Sequence, residues 1–332
     1  MSAADPAAAD DAAHGPVRHW LDLGGAADGW LTELAATEVP AVVPLPSRAD
    51  AARLLERMGV PPQDVAEALD AAPDPDRHPE LWWLLQRCRQ VLHDRLGGEE
   101  PMSRWPDLPA RLGAHGRFFY LWVFLAALPA LLDHHESHDV PEEVTWETLA
   151  DIGSKVVLHR RTHGLGGLDK QDWFTLHLRG LLYGLGRLQF NLSRVRDGAA
   201  RLTPGTRCLG VHIPETGPMT PEACDRSLAR ARGFFHRHFG IDCEVATCTS
   251  WLLDEQLAEY LPERSNIVRF QRRFQLLPDG RDGDRDIVEF VFRRLDPPLD
   301  ELPQETTLHR AVVRHLRSGR HWQVRTGWLA LD

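Results

Sequence analysis

The sequence predicts an α/β (α+β) protein in two parts: an all-helical N-terminal half, then a half in which strands and helices alternate. Three observations predict it. In the first half apolar residues recur at helical spacing, and Phe118–Leu132 is apolar on every side, as a buried central helix would be. In the second half Leu209, Val211 and Ile213 alternate with smaller or polar residues, which is strand periodicity. Pro214 and Gly217-Pro218 stop that strand, and Thr220-Pro221-Glu222 opens a helix with a cap, a first-turn proline and an acid at the positive end of the dipole. Between the halves, Gly164-Leu-Gly-Gly167 is the strongest hinge signal.

Taken in order, residues 1–15 are Ala- and Asp-rich, with no basic start and no apolar run. They read as a disordered tail and not as an export signal. Residues 16–168 read as helices. Trp30–Thr37 is short. Ser47 caps Arg48–Met58, which stops at Gly59, and Pro61–Ala72 follows. Leu81, Leu84, Leu85, Cys88, Val91 and Leu92 make one apolar stripe. The Asp133-His-His-Glu-Ser-His138 run has no partner ligands at a recognisable distance, so a solvated helix end is expected rather than a metal site. Pro141–His163 reads as a helix capped by Thr145.

Residues 169–332 begin with a helix that Asp169 is expected to cap, with Asp172 three residues on. From Leu188 onward Leu188, Phe190 and Leu192 fall on one face of a strand, and Asp197-Gly198 supplies a turn. A strand over Thr206–Pro214, a helix over Thr220–Phe239, a strand over Cys243–Leu252 and a helix over Asp254–Leu261 follow. Asn266–Leu277 and Ile287–Arg294 read as two further strands joined by a hairpin, its tip formed by the acidic run around Asp282, Asp284 and Asp286. Thr307–Arg317 reads as a helix, and Trp322–Leu331 as a final apolar segment.

Composition narrows the function. With 332 residues, 43% of them hydrophobic, the chain can bury a sizeable core. A net charge of −10 argues against nucleic acid as a partner. The longest apolar run is shorter than the roughly 20 residues of a membrane span, so no membrane partner is expected. Five scattered cysteines suit a reducing, cytoplasmic setting.

Strand, helix, strand, helix and hairpin is the layout of GNAT acyltransferases, and longer stretches sharpen the likeness. Leu-Gly-Arg-Leu-Gln-Phe (185–190), Gly-Val-His-Ile-Pro (210–214), Ser-Trp-Leu-Leu-Asp (250–254) and Leu-Pro-Glu-Arg-Ser-Asn-Ile-Val-Arg-Phe (261–270) resemble a bacterial, mainly actinobacterial, two-part acyltransferase family. In that family a helical N-acyltransferase domain precedes a GNAT-like domain with a mixed twisted sheet. The resemblance implies transfer of an acetyl or longer acyl group from coenzyme A to a small-molecule amine by direct attack, without a metal. A homo-oligomer is compatible with it.

The resemblance also implies a site. The wedge between Gly210–Pro214 and Thr247–Trp251 would hold the reacting groups. His212 is the first candidate base, since its ordinary pKa suits the task, and Glu215 the second. Tyr260 stands where many GNAT enzymes protonate the leaving thiolate. Val211, Ile213, Gly217, Met219, Thr220, Ser250, Trp251 and Asn266 would line the coenzyme. The pyrophosphate turn of GNAT enzymes reads Gln/Arg-x-x-Gly-x-Gly/Ala; the matching window, Pro214-Glu-Thr-Gly-Pro-Met219, keeps only Gly217. That departure keeps a second reading open: a GNAT-like fold that binds a small molecule or a protein without catalysis.

Overall fold

The computed structural model describes residues 17–196, 202–294 and 297–331. The tail expected over 1–15 and the turn expected at Asp197-Gly198 lie outside the described residues. The chain forms two compact units, Met1–Leu182 and Tyr183–Asp332.

The first unit is helical: α1 (Asp28–Ala36), α2 (Arg48–Arg57), α3 (Pro62–Asp70), α4 (Pro79–Asp94), α5 (Gly113–Ser137), α6 (Glu142–His163) and α7 (Gln171–Leu178). Ser47 caps α2, its hydroxyl accepting the N–H of Asp50. Gly164 ends α6 in the left-handed conformation that glycine tolerates. The central helix α5 is long and apolar enough to cross a membrane by length and composition. Here it is a core helix: Phe118 to Leu128 are each at most 4% exposed, and α3, α4 and α7 pack on it. Each such Phe or Leu buried contributes about 1.5–3 kcal/mol.

Two expected caps are corrected. Helix α6 starts at Glu142 behind Pro141, whose fixed φ sets the entry, so Thr145 lies a turn inside. Its hydroxyl instead meets the buried His135 ring at 2.8 Å. Helix α7 starts at Gln171 behind Lys170, not Asp169. The carboxylate of Asp172 is taken by a tertiary bond, accepting the N–H of Trp105 at 3.0 Å.

The second unit is a mixed six-stranded sheet in the order β1-β2-β3-β4-β6-β5. Its strands are β1 (Leu182–Gly184), β2 (Gln189–Arg194), β3 (Arg207–His212), β4 (Val245–Ser250), β5 (Gln275–Asp282) and β6 (Gln323–Ala330). Strand β3 runs antiparallel to β2 and parallel to β4, while β4 and β5 both pair antiparallel with β6. Helix α8 (Pro221–Phe239) is the crossover from β3 to β4 that a parallel pair requires. It buries Cys224, Ala231, Phe234 and Phe235.

The C-terminal elements correct the sequence reading. Asn266 opens a helix, α9 (Asn266–Gln271), not a strand. The Ser265 hydroxyl accepts the N–H of Val268 and decides the matter against the β-branched Ile267-Val268 pair. Strand β5 follows only at Gln275 and takes in Asp279–Asp282, so the acidic run is not a hairpin tip. The stretch expected as the last strand is α10 (Asp284–Phe292): Asp284 and Asp286 sit in its first turn, and Ile287 and Phe292 are buried. Residues 254–261 form a short 3-10 turn (Glu255–Glu259) rather than an α-helix. Helix α11 (Thr307–Arg317) stands where expected. The final apolar segment is β6, an interior strand between β4 and β5. A second core gathers Leu257, Val268, Ile287, Val312, Val313 and Trp322.

Candidate active site

The pairing of β3 with β4 runs over Leu209↔Ala246 and Gly210↔Thr247. It stops short of Val211-His212 on one strand and Cys248–Ser250 on the other. Two neighbouring parallel strands therefore part at their C-terminal ends. A parting there leaves backbone N–H and C=O groups facing an opening, which is where an extended ligand arm can add its own hydrogen bonds. The wedge expected from sequence would lie at that place.

Alternation puts Gly210 and His212 on one face of β3. Asn191, on β2, stands opposite Gly210. Its Nδ2 donates to the Leu192 carbonyl at 2.7 Å, so its Oδ1 is the atom turned toward His212. That oxygen lies 2.7 Å from His212 Nε2. A Cβ at Gly210 would collide with Asn191 Oδ1. The opposite face carries Val211, Ala246 and Cys248, each at most 2% exposed. Burial pushes the Cys248 thiol up to about 12 and also raises that of Cys208. Both thiols are therefore neutral at ordinary pH and unsuited to carry an acyl group.

The turn from β3 to α8 has the second set of expected residues. Gly217 takes a φ of 117°, which only glycine adopts without strain. Met219 is buried, and Thr220 caps α8 by accepting the N–H of Ala223 at 3.3 Å. Pro214 and Pro218 offer no N–H, but their carbonyls are both held by one guanidinium. Arg187, from the β1–β2 turn, donates to Pro214 O at 2.9 Å and to Pro218 O at 3.3 Å. Arg293, in the left-handed conformation just after α10, pairs with Glu215 at 2.6 Å. Its Nη1 is buried and finds no hydrogen-bond acceptor among the described residues. Arg273 donates to Pro221 O at 3.1 Å and pairs with Asp225 at 2.7 Å. Burial raises the Cys224 thiol, while the Arg273 and Arg187 charges pull against it. Three guanidinium groups thus stand around the start of α8.

The remaining expected residues are dispersed. Ser250 ends β4, and its hydroxyl accepts the N–H of Leu252 at 3.1 Å. Trp251 opens a 3-10 turn and packs against the second core. Tyr260 lies in that core too: its hydroxyl is 3.1 Å from His315 Nδ1, and its ring meets Trp322 at 6.0 Å. Asn266 is the first residue of α9, whose Gln271 side chain donates to the carbonyls of Leu252 and Asp254, each at 2.8 Å. Val211, His212, Ile213, Glu215, Gly217, Met219 and Thr220 lie within one ten-residue stretch, 211–220, and Ser250-Trp251 sits at the same end of the adjoining strand. Tyr260 and Asn266 are placed by other elements. Sequence reasoning missed Asn191, Arg187 and Arg293. Only Arg187 carried a signal, as the polar residue after a glycine in the 185–190 stretch. Among the described residues, no three His, Cys, Asp or Glu gather as a metal would require.

Comparison with known proteins adds to this geometry. Residues 49–180 match the model of an N-acyltransferase N-terminal domain, and residues 182–329 that of a GNAT-like C-terminal domain. The chain is similar to a crystal structure of an acyltransferase in complex with decanoyl-CoA: 48% identity, TM-score 0.90, 96% of this chain and 99% of that one covered. An acyltransferase with decanoyl-CoA and teicoplanin is 47% identical at the same TM-score of 0.90 and the same coverage of 96% and 99%. A mutant acyltransferase with octanoyl-CoA is 46% identical, again with a TM-score of 0.90 and coverage of 96% and 99%. A search of curated protein sequences gave no significant match.

Proposed function

The chain belongs to the family of acyltransferases that join an N-acyltransferase N-terminal domain to a GNAT-like C-terminal domain, and from that premise we propose that it moves a medium-length acyl group from coenzyme A to an amine on a glycopeptide. It is an acyl-CoA-dependent acyltransferase. The observation that carries the finer reading is near-full-length similarity to acyltransferases in complex with octanoyl-CoA, decanoyl-CoA and teicoplanin.

The residues fit such a co-substrate. The diphosphate of coenzyme A would lie at the β3–α8 turn, where Arg187 and Arg293 supply positive charge that Pro214 and Pro218 cannot supply through backbone N–H groups. The buried Nη1 of Arg293, which meets no acceptor among the described residues, is a donor that a diphosphate would satisfy. The opening between β3 and β4 would take the pantetheine arm and bring the thioester beside His212. There the acceptor amine attacks the thioester carbonyl carbon. The new C–N bond forms, the C–S bond breaks with its electron pair so that coenzyme A leaves as the thiolate, and the amine proton passes to His212, from which it can go on to that thiolate or to water. Glu215 is engaged with Arg293, so the role of base falls to His212. No acyl-enzyme is required, in keeping with the raised thiols of Cys208 and Cys248.

The test is a matrix of acyl-CoAs, from acetyl to dodecanoyl, against a teicoplanin-type glycopeptide bearing a free amine. Products are read by mass and thiol release by colour. A product heavier by one acyl group, with the highest rate at eight to ten carbons, is expected. Thiol release with no acylated glycopeptide would remove the proposed acceptor, and a preference for acetyl would remove the proposed chain length. His212→Ala should lower kcat/KM by about 10²–10⁴-fold, the usual span for a positioned base.

A further inference from the structure

We propose that Asn191 is a positioning residue that fixes which nitrogen of His212 is basic, and that position 210 must be glycine to let it do so. The proposal rests on His212 being the base, as set out above.

The hydrogen bonds determine the tautomer. The Asn191 amide has one donor end and one acceptor end. Its donor end is spent on the Leu192 carbonyl at 2.7 Å. The end that faces His212 Nε2, at 2.7 Å, is therefore the acceptor. A neutral imidazole can satisfy an acceptor only with a protonated nitrogen, so Nε2 carries the hydrogen and Nδ1 carries the lone pair. In water a neutral imidazole interchanges the two tautomers freely. Here one is selected, and the ring plane is set by a bond to a neighbouring strand. This is the logic of a base oriented by a third group, built with a neutral amide instead of a carboxylate. A neutral orienter holds the ring without adding a charge that would raise its affinity for protons.

Gly210 completes the arrangement. It sits between the two partners on the same face, directly across from Asn191. A methyl group there would occupy the place of Asn191 Oδ1 and would lie 3.4 Å from His212 Nε2. The obstructed atom is the tip of a side chain and not backbone. An alanine at 210 therefore displaces the amide from its seat while the strand can keep its path. Gly210 is half of the Leu209-Gly210 pairing with β4, after which the strands part. The orienting contact is thus fixed to the last paired position before the opening.

The test has a spectroscopic arm and a kinetic arm. In protein labelled with ¹⁵N-histidine, above the pH at which the ring is protonated, His212 should show a single Nε2–H tautomer. Asn191→Ala should turn that signal into the average of both forms and lower kcat by about ten- to a hundredfold, short of the roughly 10⁴-fold loss caused by a wrong tautomer in a charged triad. KM for the acyl-CoA should stay within about twofold, since the coenzyme contacts lie elsewhere. Asn191→Asp, which keeps an acceptor oxygen, should restore the Nε2–H signal and most of the rate. Gly210→Ala should reproduce the Asn191→Ala spectrum with an unchanged thermal midpoint. An Nδ1–H tautomer in the unmodified protein, or an Asn191→Ala variant with unaltered spectrum and kcat, overturns the proposal. Full activity in His212→Ala would instead sink the assignment of the base, and the tautomer signal would still report whether Asn191 orients the ring.

Discussion

Two prolines decide how the anion end of the site is built. At Pro214 and Pro218 the chain gives up backbone donors, and what remains at each place is a carbonyl. Arg187 converts that loss into an attachment, since one guanidinium bonds both carbonyls and so fixes the two ends of the turn. Burial lowers the affinity of Arg187 for its proton, although an arginine remains charged throughout the working range. Arg187→Met keeps much of the side-chain volume and removes both bonds. It should raise KM for acyl-CoA about tenfold, the worth of one or two charge-assisted bonds, with kcat changed far less; steady-state kinetics at varied acyl-CoA decides it. Gly217 and Thr220 could be singled out in the sequence by their immediate neighbours, and His212 by the wedge that the family resemblance implies. Asn191 and Arg293 were not, and Arg187 only faintly so, because their partners lie on elements joined only by folding.

Among the elements, the helices of the first unit were the most legible. Long apolar periods and caps such as Ser47 are local signals, and tertiary packing agrees with them. The elements after β4 conflict with their local composition. Ile287-Val-Glu-Phe-Val-Phe292 is rich in strand-forming residues, yet an acidic first turn and the burial of Ile287 and Phe292 make it a helix. The interior strand β6 gave only a faint signal, since Gln323, Arg325 and Gly327 break up its apolar residues and only Gly327–Leu329 are buried in succession. The crossing of α6 with α2 illustrates a constraint that sequence conceals. Gly153 donates its N–H to Met58 O at 3.2 Å, and a Cβ there would collide with the backbone of Met58 and Gly59. Backbone cannot swing aside as a side-chain tip can. Gly153→Ala should therefore cost about 1–3 kcal/mol, the range for overpacking a close contact, and show as a lowered urea midpoint despite the better helix propensity of alanine.

Over the whole molecule, the unit boundary at Leu182 has a physical basis in α7. Phe174 and Leu178 belong to the helical core, and the Phe174 ring meets Phe124 edge-on at 6.0 Å. The hinge glycines suggested a break after residue 168, and the fold keeps one more helix. A fragment of residues 1–182 should melt cooperatively, whereas 1–168 should expose apolar surface and bind a hydrophobic dye; fluorescence and thermal melts separate the two. The same core makes stability depend on pH. Burial, then the neighbouring His134 and His138 charges, lower the His135 pKa to about 3. Unfolded, the ring titrates near 6.5. Between those values the unfolded chain binds a proton that the folded chain refuses, so stability falls as pH drops from about 6.5 toward 3. Urea midpoints between pH 6.5 and 5, above most carboxylate titration, should fall in the native protein and fall less in His135→Gln.

The apolar helix α5 has a consequence in the order of synthesis. Its covering partners α3 and α4 precede it, but α7 comes after it in the chain. At about 5–20 residues per second, a ribosome would leave one flank of α5 bare for several seconds. During that interval a stretch of membrane-spanning length is offered to whatever binds nascent apolar chains. Yield in a host cell should therefore follow chaperone supply and translation speed across residues 138–178 more closely than the stability of the finished protein.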